Sequence, residues 1–171
     1  VTKVENLATA RFIAFAPELE GTSFAVNGNV VANIANNDLQ SVSVDITKLS
    51  GEAVNPKLRD KLKITTGAIQ GSYNFKTKDV AVTKSAVHFT DGVQISGAGG
   101  MGGNGDIKVD AVIENMPIGI LNRYWPVDVG NNAIAWINGH LSKGMIPKAI
   151  AKVDIKGTDV KAGERGSRCE P

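Results

Sequence analysis

The segment "SFAVNGNVVANIA", residues 23–35, alternates between apolar and polar side chains with a period of two. Its apolar parity carries Phe24, Val26 and Val30, and its other parity carries Asn27 and Asn33. Side chains two positions apart lie on the same side of a β-strand. The segment therefore predicts a strand with one apolar face and one polar face.

The same period recurs along most of the chain and predicts about eight or nine strands. The further runs are Val42, Val44 and Ile46; Leu62 and Ile64; Ile69, Tyr73 and Phe75; Val80 and Val82; Val87 and Phe89; Val93 and Ile95; Ile107, Val109, Ala111 and Ile113; and Ala149, Ala151, Val153 and Ile155. Turn-forming pairs such as Asn36-Asn37, Asp91-Gly92 and Asn104-Gly105 separate them. Because these connections are too short for crossover helices, we expect a mainly β fold with a largely antiparallel sheet.

One stretch, "VGNNAIAWINGHLSKG" at residues 129–144, breaks this period. Ile134, Ile137 and Leu141 follow the i, i+3, i+7 spacing of a helix, and Gly144 can end it. Gly139 weakens its middle. The stretch predicts one short amphipathic helix near residues 131–143.

Composition limits the kinds of partner. The chain has 171 residues, with 19 basic and 17 acidic side chains and a net charge of +2. The two signs are interleaved, which argues against nucleic acid because phosphate binding needs a concentrated basic face. The tail at residues 161–171 has no apolar period, so we expect it to be mobile or foreign to the domain.

The segment "ISGAGGMGGNGD", residues 95–106, has the G-x-G-x-x-G spacing of a dinucleotide site at Gly97, Gly99 and Gly102. That site requires a helix directly after the glycines. Here "DIKVDAVIE" follows, which alternates like a strand. The glycines therefore predict a turn or bulge between antiparallel strands, and no cofactor.

Other chemistry has no sequence signature. The two histidines, His88 and His140, do not lie at metal-ligand spacings, and no serine lies in a nucleophile elbow. We therefore expect no enzyme, no metal site and no cofactor. The residues alone favour a closed sandwich whose core is the apolar face, and they leave open whether that face meets lipid instead.

Residues 113–157 carry a more specific pattern. It contains a "NMPI" turn, a "YWP" box at Tyr124, Trp125 and Pro126, an "AW" pair at Ala135 and Trp136, and "GMIPKA" leading into a strand. Upstream, "FAVNGNVVANI" and an "LSGE" turn come in a similar order. Over residues 20–157 the chain resembles the AsmA-like proteins of Gram-negative bacteria, particularly their YhdP-type branch.

The resemblance implies a periplasmic protein that is anchored to the inner membrane through parts outside these residues. Members are similar to bridge-like lipid transfer proteins, so it implies a curled, open sheet forming a β-groove for phospholipid transport between the inner and outer membranes. Residues 1–160 would be a single groove segment of a larger protein with a role in outer membrane biogenesis. The alternative is a structural or assembly module of the envelope, with a closed β core and no lipid binding.

The resemblance implies phospholipid acyl chains as the ligand, and parity selects the side chains that would line the groove. These are Phe24, Val26, Val30, Ile34, Val42, Val44, Ile46, Tyr73, Phe75, Val87, Phe89, Ile107, Val109, Ile113, Val153 and Ile155. The helix region would cap one section through Tyr124, Trp125, Ile134, Trp136, Ile137 and Leu141. Unpaired edge strands also permit self-association.

Overall fold

The computed structural model describes residues 2–8, 22–54, 60–125, 127, 131–141 and 143–158, with only the backbone described for 2–8. Eight strands form one sheet in chain order. They are β1 (Thr2–Ala8), β2 (Ser23–Ala35), β3 (Asp38–Ala53), β4 (Leu62–Asn74), β5 (Val80–Phe89), β6 (Gln94–Met101), β7 (Ile107–Pro117) and β8 (Met145–Ile155). The predicted tail at 161–171 lies outside the described residues.

Every neighbouring pair of strands is antiparallel, which confirms the predicted sheet. In the described residues, β1 pairs only with β2 and β8 only with β7. The sheet is therefore open and does not close into a barrel. It is a mainly β fold, and the helical elements assigned within the described residues lie between β7 and β8.

Turns between the strands use the residues that the sequence indicated. Asn36 and Asn37 have φ of 54° and 64° and join β2 to β3. Two positive φ values in a two-residue loop are typical of a type I′ turn, which asparagine tolerates. Gly92 and Gly105, with φ of 89° and 88°, lie in the β5–β6 and β6–β7 turns. These tight turns keep consecutive strands adjacent.

The glycine segment is only partly a turn. Gly97 and Gly99 lie inside β6, where they pair with Ala111 and Val109 of β7. The turn itself occupies 102–106, where the Gly105 amide donates to the Gly102 carbonyl over 2.8 Å. The turn is thus confined to the second half of the segment, and beside Gly97 and Gly99 there is a bulge in the β5–β6 pair, where two residues of β5 oppose Ala98. A Cβ at Gly97 would collide with the carbonyl oxygen of Asp110, so the close approach of β7 requires glycine there.

One set of register shifts lies along a line across the sheet. The line follows directly paired residues from β2 to β8 and is named the crease: Gly28, Ile46, Ile69, Ser85, Gly97, Ala111 and Ala151. Beside it, β3 has one residue more than β2 and β4, and β5 has one more than β4 and β6. Such bulges bend a strand and increase its twist. Their alignment from β2 to β6 accounts for the curl of the sheet.

At these bulges, threonine hydroxyls donate hydrogen bonds to backbone carbonyls of the neighbouring strand. Thr47 is the unpaired residue of β3 against β2, and its hydroxyl donates to the Asn27 carbonyl over 3.3 Å. Thr83 has the same place in β5, and its hydroxyl donates to the Gln70 carbonyl over 3.3 Å. Each bulge therefore keeps a cross-strand hydrogen bond although the ladder is interrupted.

The described part of the connection from β7 to β8 forms a cap, defined here as residues 118–125, 127 and 131–140. A 3₁₀ turn (Ile118–Ile120) leads into α1 (Leu121–Tyr124), and α2 (Asn131–His140) follows. The predicted helix is present but ends three residues earlier than 143. One further helical hydrogen bond runs from the Leu141 amide to the Ile137 carbonyl, and Gly144 then adopts φ of 131°, which ends any helix.

Buried apolar side chains of the described residues concentrate at the end of the sheet that carries the cap. They are Leu49, Ile64, Val93, Met116 and Ile134. They come from β3, β4, the β5–β6 turn, β7 and α2, so the cap and the strand ends share this small core. The rest of the sheet depends on its ladder and on partial burial by neighbouring side chains.

Candidate functional site

One side of the sheet is apolar from β2 to β8. This apolar face consists of the residues that the register places on the same side, and no charged side chain occurs at its paired positions. Its members are Phe24, Val26, Gly28, Val30, Ala32 and Ile34; Leu39, Val42, Val44, Ile46, Leu49 and Gly51; Leu62, Ile64, Gly67, Ile69, Gly71 and Tyr73; Val80, Val82, Ser85, Val87 and Phe89; Ile95, Gly97, Gly99 and Met101; Ile107, Val109, Ala111 and Ile113; and Ala149, Ala151, Val153 and Ile155.

The opposite side of the sheet, the polar face, carries the charges. Lys63 pairs with Glu52 at 3.3 Å, and Lys152 pairs with Asp110 at 3.7 Å. The Gln70 amide donates to the Asp45 carboxylate over 3.0 Å. Exposed pairs of this kind contribute little stability, about 0–1 kcal/mol each. Their position identifies the polar face as the side of the sheet that faces solvent.

Fifteen of the sixteen predicted lining residues lie in strands, and all fifteen lie on the apolar face. Phe75 lies one residue beyond the end of β4, where its ring packs edge-on against Tyr73 with centroids 4.8 Å apart. The alternation in the sequence thus selected residues that share one face of the sheet. It does not decide whether lipid or protein meets that side, so lipid contact stays a prediction.

Several members of the apolar face were missed as lining residues. They are Leu39, Leu49, Leu62, Ile64, Ile69, Val80, Val82, Ile95 and Met101, with the smaller side chains between them. The alternation was visible at most of these positions, but bulges reverse the parity inside β3, β4 and β5. Without the register, the two halves of such a strand cannot be assigned to one face.

The apolar face is exposed at one end and buried at the other. On β3, Leu39 is 40% exposed and Leu49 is 6% exposed, although both lie on this face. At the same open end, Ile34 is 65% exposed and Met101 is 45% exposed. Large apolar side chains open to water in one continuous area are typical of a binding surface.

A cavity of about 480 Å³ lies on the apolar face over β5, β6 and β7. Its size is within the usual range of about 300–1,000 Å³ for ligand cavities. It is lined by Val80, Val82, Ser85, Ile95, Ser96, Gly97, Ala98, Gly99, Gly100, Met101, Ile107, Val109, Asp110 and Ala111. The Ser85 hydroxyl in this lining donates to the Gly97 carbonyl over 3.0 Å, so the lining is apolar in effect.

The cap is fastened to the sheet at the buried end. The Tyr124 ring packs edge-on against Phe89 of the apolar face with centroids 5.2 Å apart. Its hydroxyl lies 2.8 and 3.0 Å from the two carboxylate oxygens of Asp91 in the β5–β6 turn. Burial, and then the hydrogen bond to Asp91, raise the pKa of Tyr124 well above its ordinary value. Arg123 adds an ion pair to Asp60 at 3.2 Å.

The other predicted cap residues have different surroundings. Ile134 is buried and Ile137 is half-buried, whereas Leu141 and Trp136 are exposed. The Trp136 ring stacks on His140 with centroids 4.8 Å apart. Only one side of α2 therefore packs inward. Trp125 is half-buried next to Tyr124.

Turns at the open end are connected by two carboxylates. Asp79 accepts a hydrogen bond from the Gly103 amide over 2.9 Å, which connects the β4–β5 and β6–β7 turns. Asp106 accepts one from the Gly157 amide over 2.9 Å, which connects the β6–β7 turn to the end of β8. The Thr77 hydroxyl lowers the pKa of Asp79, and the Gly157 amide lowers that of Asp106. The rim of the open end is thus preorganised.

No group of three metal-ligating side chains occurs within the part of the chain that the structure describes. Both histidines, His88 and His140, are exposed. Among the described helices, none has the length and apolarity needed to cross a membrane. Comparison with protein-family models, with curated proteins and with solved structures gave no match to this chain.

Proposed function

We propose that the apolar face binds the acyl chains of phospholipids, and that this chain is a groove segment of a periplasmic envelope protein, anchored to the inner membrane, that serves phospholipid transport between the inner and outer membranes. The observation that carries the proposal is the continuous apolar face of seven strands without a charged side chain, which remains exposed at its open end. The location and the part in transport rest on the resemblance of residues 20–157 to the AsmA-like proteins.

Lipid binding here needs no catalytic group. Transfer of a methylene from water to an apolar surface is worth about 0.8 kcal/mol, so about ten buried methylenes supply roughly the 8 kcal/mol of micromolar binding. The polar head group stays in water. Val44 of β3 lies opposite Val30 of β2, so these two strands present similar apolar rows between which an acyl chain can move.

Native mass spectrometry of the purified protein tests the proposal directly. We expect phospholipid to co-purify, and a fluorescent fatty acid to bind the delipidated protein. A matched pair of variants separates the faces. Val80 on the apolar face and Val31 on the polar face are 37% and 42% exposed. Val80→Asp places a charge where the acyl chain would lie, so lipid loading should fall, whereas Val31→Asp should bind as the parent does.

Both valines retain water contact, so neither aspartate is fully buried and the fold should survive both changes. Circular dichroism and the urea midpoint check this. A stable, lipid-free protein that binds no acyl probe would reject the proposal in favour of a structural module. Equal loading of the two variants would show that lipid does not use the apolar face.

A further inference from the structure

The cavity over β6 is elongated along this strand. Gly97 and Gly99 occupy the two central positions of β6 on the apolar face, flanked by Val82 and Ser85 on β5 and by Val109 and Ala111 on β7. Because the glycines have no side chains, the flanking rows stand above the middle strand. The result is a furrow that runs along β6, with β5 and β7 as its walls.

The furrow has one closed end and one open end. Towards the cap it ends at Ile95, next to the fully buried Val93. In the other direction it ends at Met101, opposite Val80 and Ile107, in the exposed part of the face. From Ile95 to Met101 is six residues, or about 20 Å at the rise of a strand.

The width of the furrow corresponds to that of one alkyl chain. The backbones of β5 and β7 lie two strand spacings apart, about 9.6 Å, and Val82 and Val109 narrow the space between them. Ser85 already donates its hydroxyl to Gly97, so this side chain leaves no free donor for a polar ligand. An uncharged, slender ligand fits these conditions.

We infer that the furrow is the seat of a single unbranched alkyl chain, which lies along β6 with its methyl end near Ile95 and its polar end beyond Met101. The inference rests on the proposed function, which it deepens by fixing the strand, the direction and the number of chains. The head group would then leave at the rim that Asp79 and Asp106 organise, while Ile95 limits the position of the methyl end.

A fatty acid with a photoreactive diazirine near its methyl end tests the position. Irradiation of the complex with the unaltered protein, followed by peptide mapping, should place the crosslinks in 93–99 and the facing part of β7. A probe with the diazirine near the carboxylate should instead label residues around Met101 and Ile107. Labels spread evenly over β2–β8 would overturn the inference.

A pair of alanines on opposite faces provides the variants. Ala111 lines the furrow, whereas Ala68 is exposed on the polar face of β4 and does not line it. Ala111→Phe should fill the furrow and weaken fatty acid binding at least about tenfold, since two displaced methylenes correspond to that factor. Ala68→Phe adds the same ring to the other face and should leave binding unchanged.

The outcomes separate the inference from the function on which it rests. If phospholipid co-purifies but both phenylalanine variants bind equally, the furrow is not the seat and the wider groove remains. If the unaltered protein takes up no lipid, both proposals fail. Should Ala111→Phe not fold, the crosslink positions in the unaltered protein still decide.

Discussion

Two leucines on the same strand and the same face give the sharpest stability test of the open face. Leu39 and Leu49 both lie on β3 and are 40% and 6% exposed. In a sealed sandwich, truncation of either would leave a cavity. In the open sheet, only Leu49 has neighbours on all sides, so the two substitutions should differ.

The expected magnitudes follow from burial. Leu49→Ala removes a buried side chain and leaves a cavity, which together cost about 2–5 kcal/mol of unfolding free energy. Full burial of a leucine is worth roughly 1.5–3 kcal/mol. Because Leu39 is partly exposed in the folded protein, its burial contributes only part of that free energy, and water fills the space that its truncation leaves. Leu39→Ala should therefore cost about 1 kcal/mol or less of unfolding free energy.

Urea denaturation followed by circular dichroism measures both values, and the slope m should be equal for the two variants. If Leu39→Ala costs as much as Leu49→Ala, Leu39 is covered by something in solution, and the description of an open face is wrong. Saturation with phospholipid gives a second readout. Lipid should stabilise the unaltered protein by mass action.

Three more predictions follow from particular contacts. Gly97→Ala should strongly destabilise the sheet because its Cβ collides with backbone, whereas Gly139→Ala in α2, where the Cβ meets nothing within 4 Å, should stabilise by up to about 1 kcal/mol in thermal melts. Tyr124→Phe removes the hydroxyl bond to the Asp91 carboxylate, so urea unfolding should show a loss of about 1.5–3 kcal/mol. Because the pKa of Asp106 is lowered in the folded protein, its carboxylate stabilises the fold at pH values above the ordinary carboxyl pKa, and this stabilisation is lost as the pH falls through the folded-state pKa. Hydrogen exchange at acid pH should then show that the rim opens first. Unchanged protection of the rim would contradict this.

The sequence was sufficient for strand content and for the side of each strand, because alternation depends only on the period of the backbone. It was not sufficient where a bulge reverses the parity. Val82 and Ser85 lie on one face although an odd number of positions separates them, since Thr83 is an extra residue. The two runs at Val80–Val82 and Val87–Phe89 therefore looked like separate short strands, whereas they belong to β5.

The glycine segment and the cap show two other limits. Glycine is depleted in strands, so Gly97 and Gly99 suggested a turn; the need for glycine arises from the approach of β7, which is a property of the assembled sheet. The α1 segment has four residues, too few for a helical period to be visible. Parity also could not predict whether a second layer covers the apolar face, because that depends on what packs there.

The bulges beside the crease determine which insertions and deletions keep each side chain on its face of the sheet. Loss of Thr83 alone would remove the extra residue of β5, so Val82, Lys84 and Ser85 would alternate regularly and both halves of the strand would keep their faces. Where the ladder is regular, loss of one residue would instead move every side chain beyond it to the other face, and loss of two adjacent residues would leave the faces as they are. Single-residue deletions should therefore be tolerated at the bulges and rejected in the regular parts of the strands.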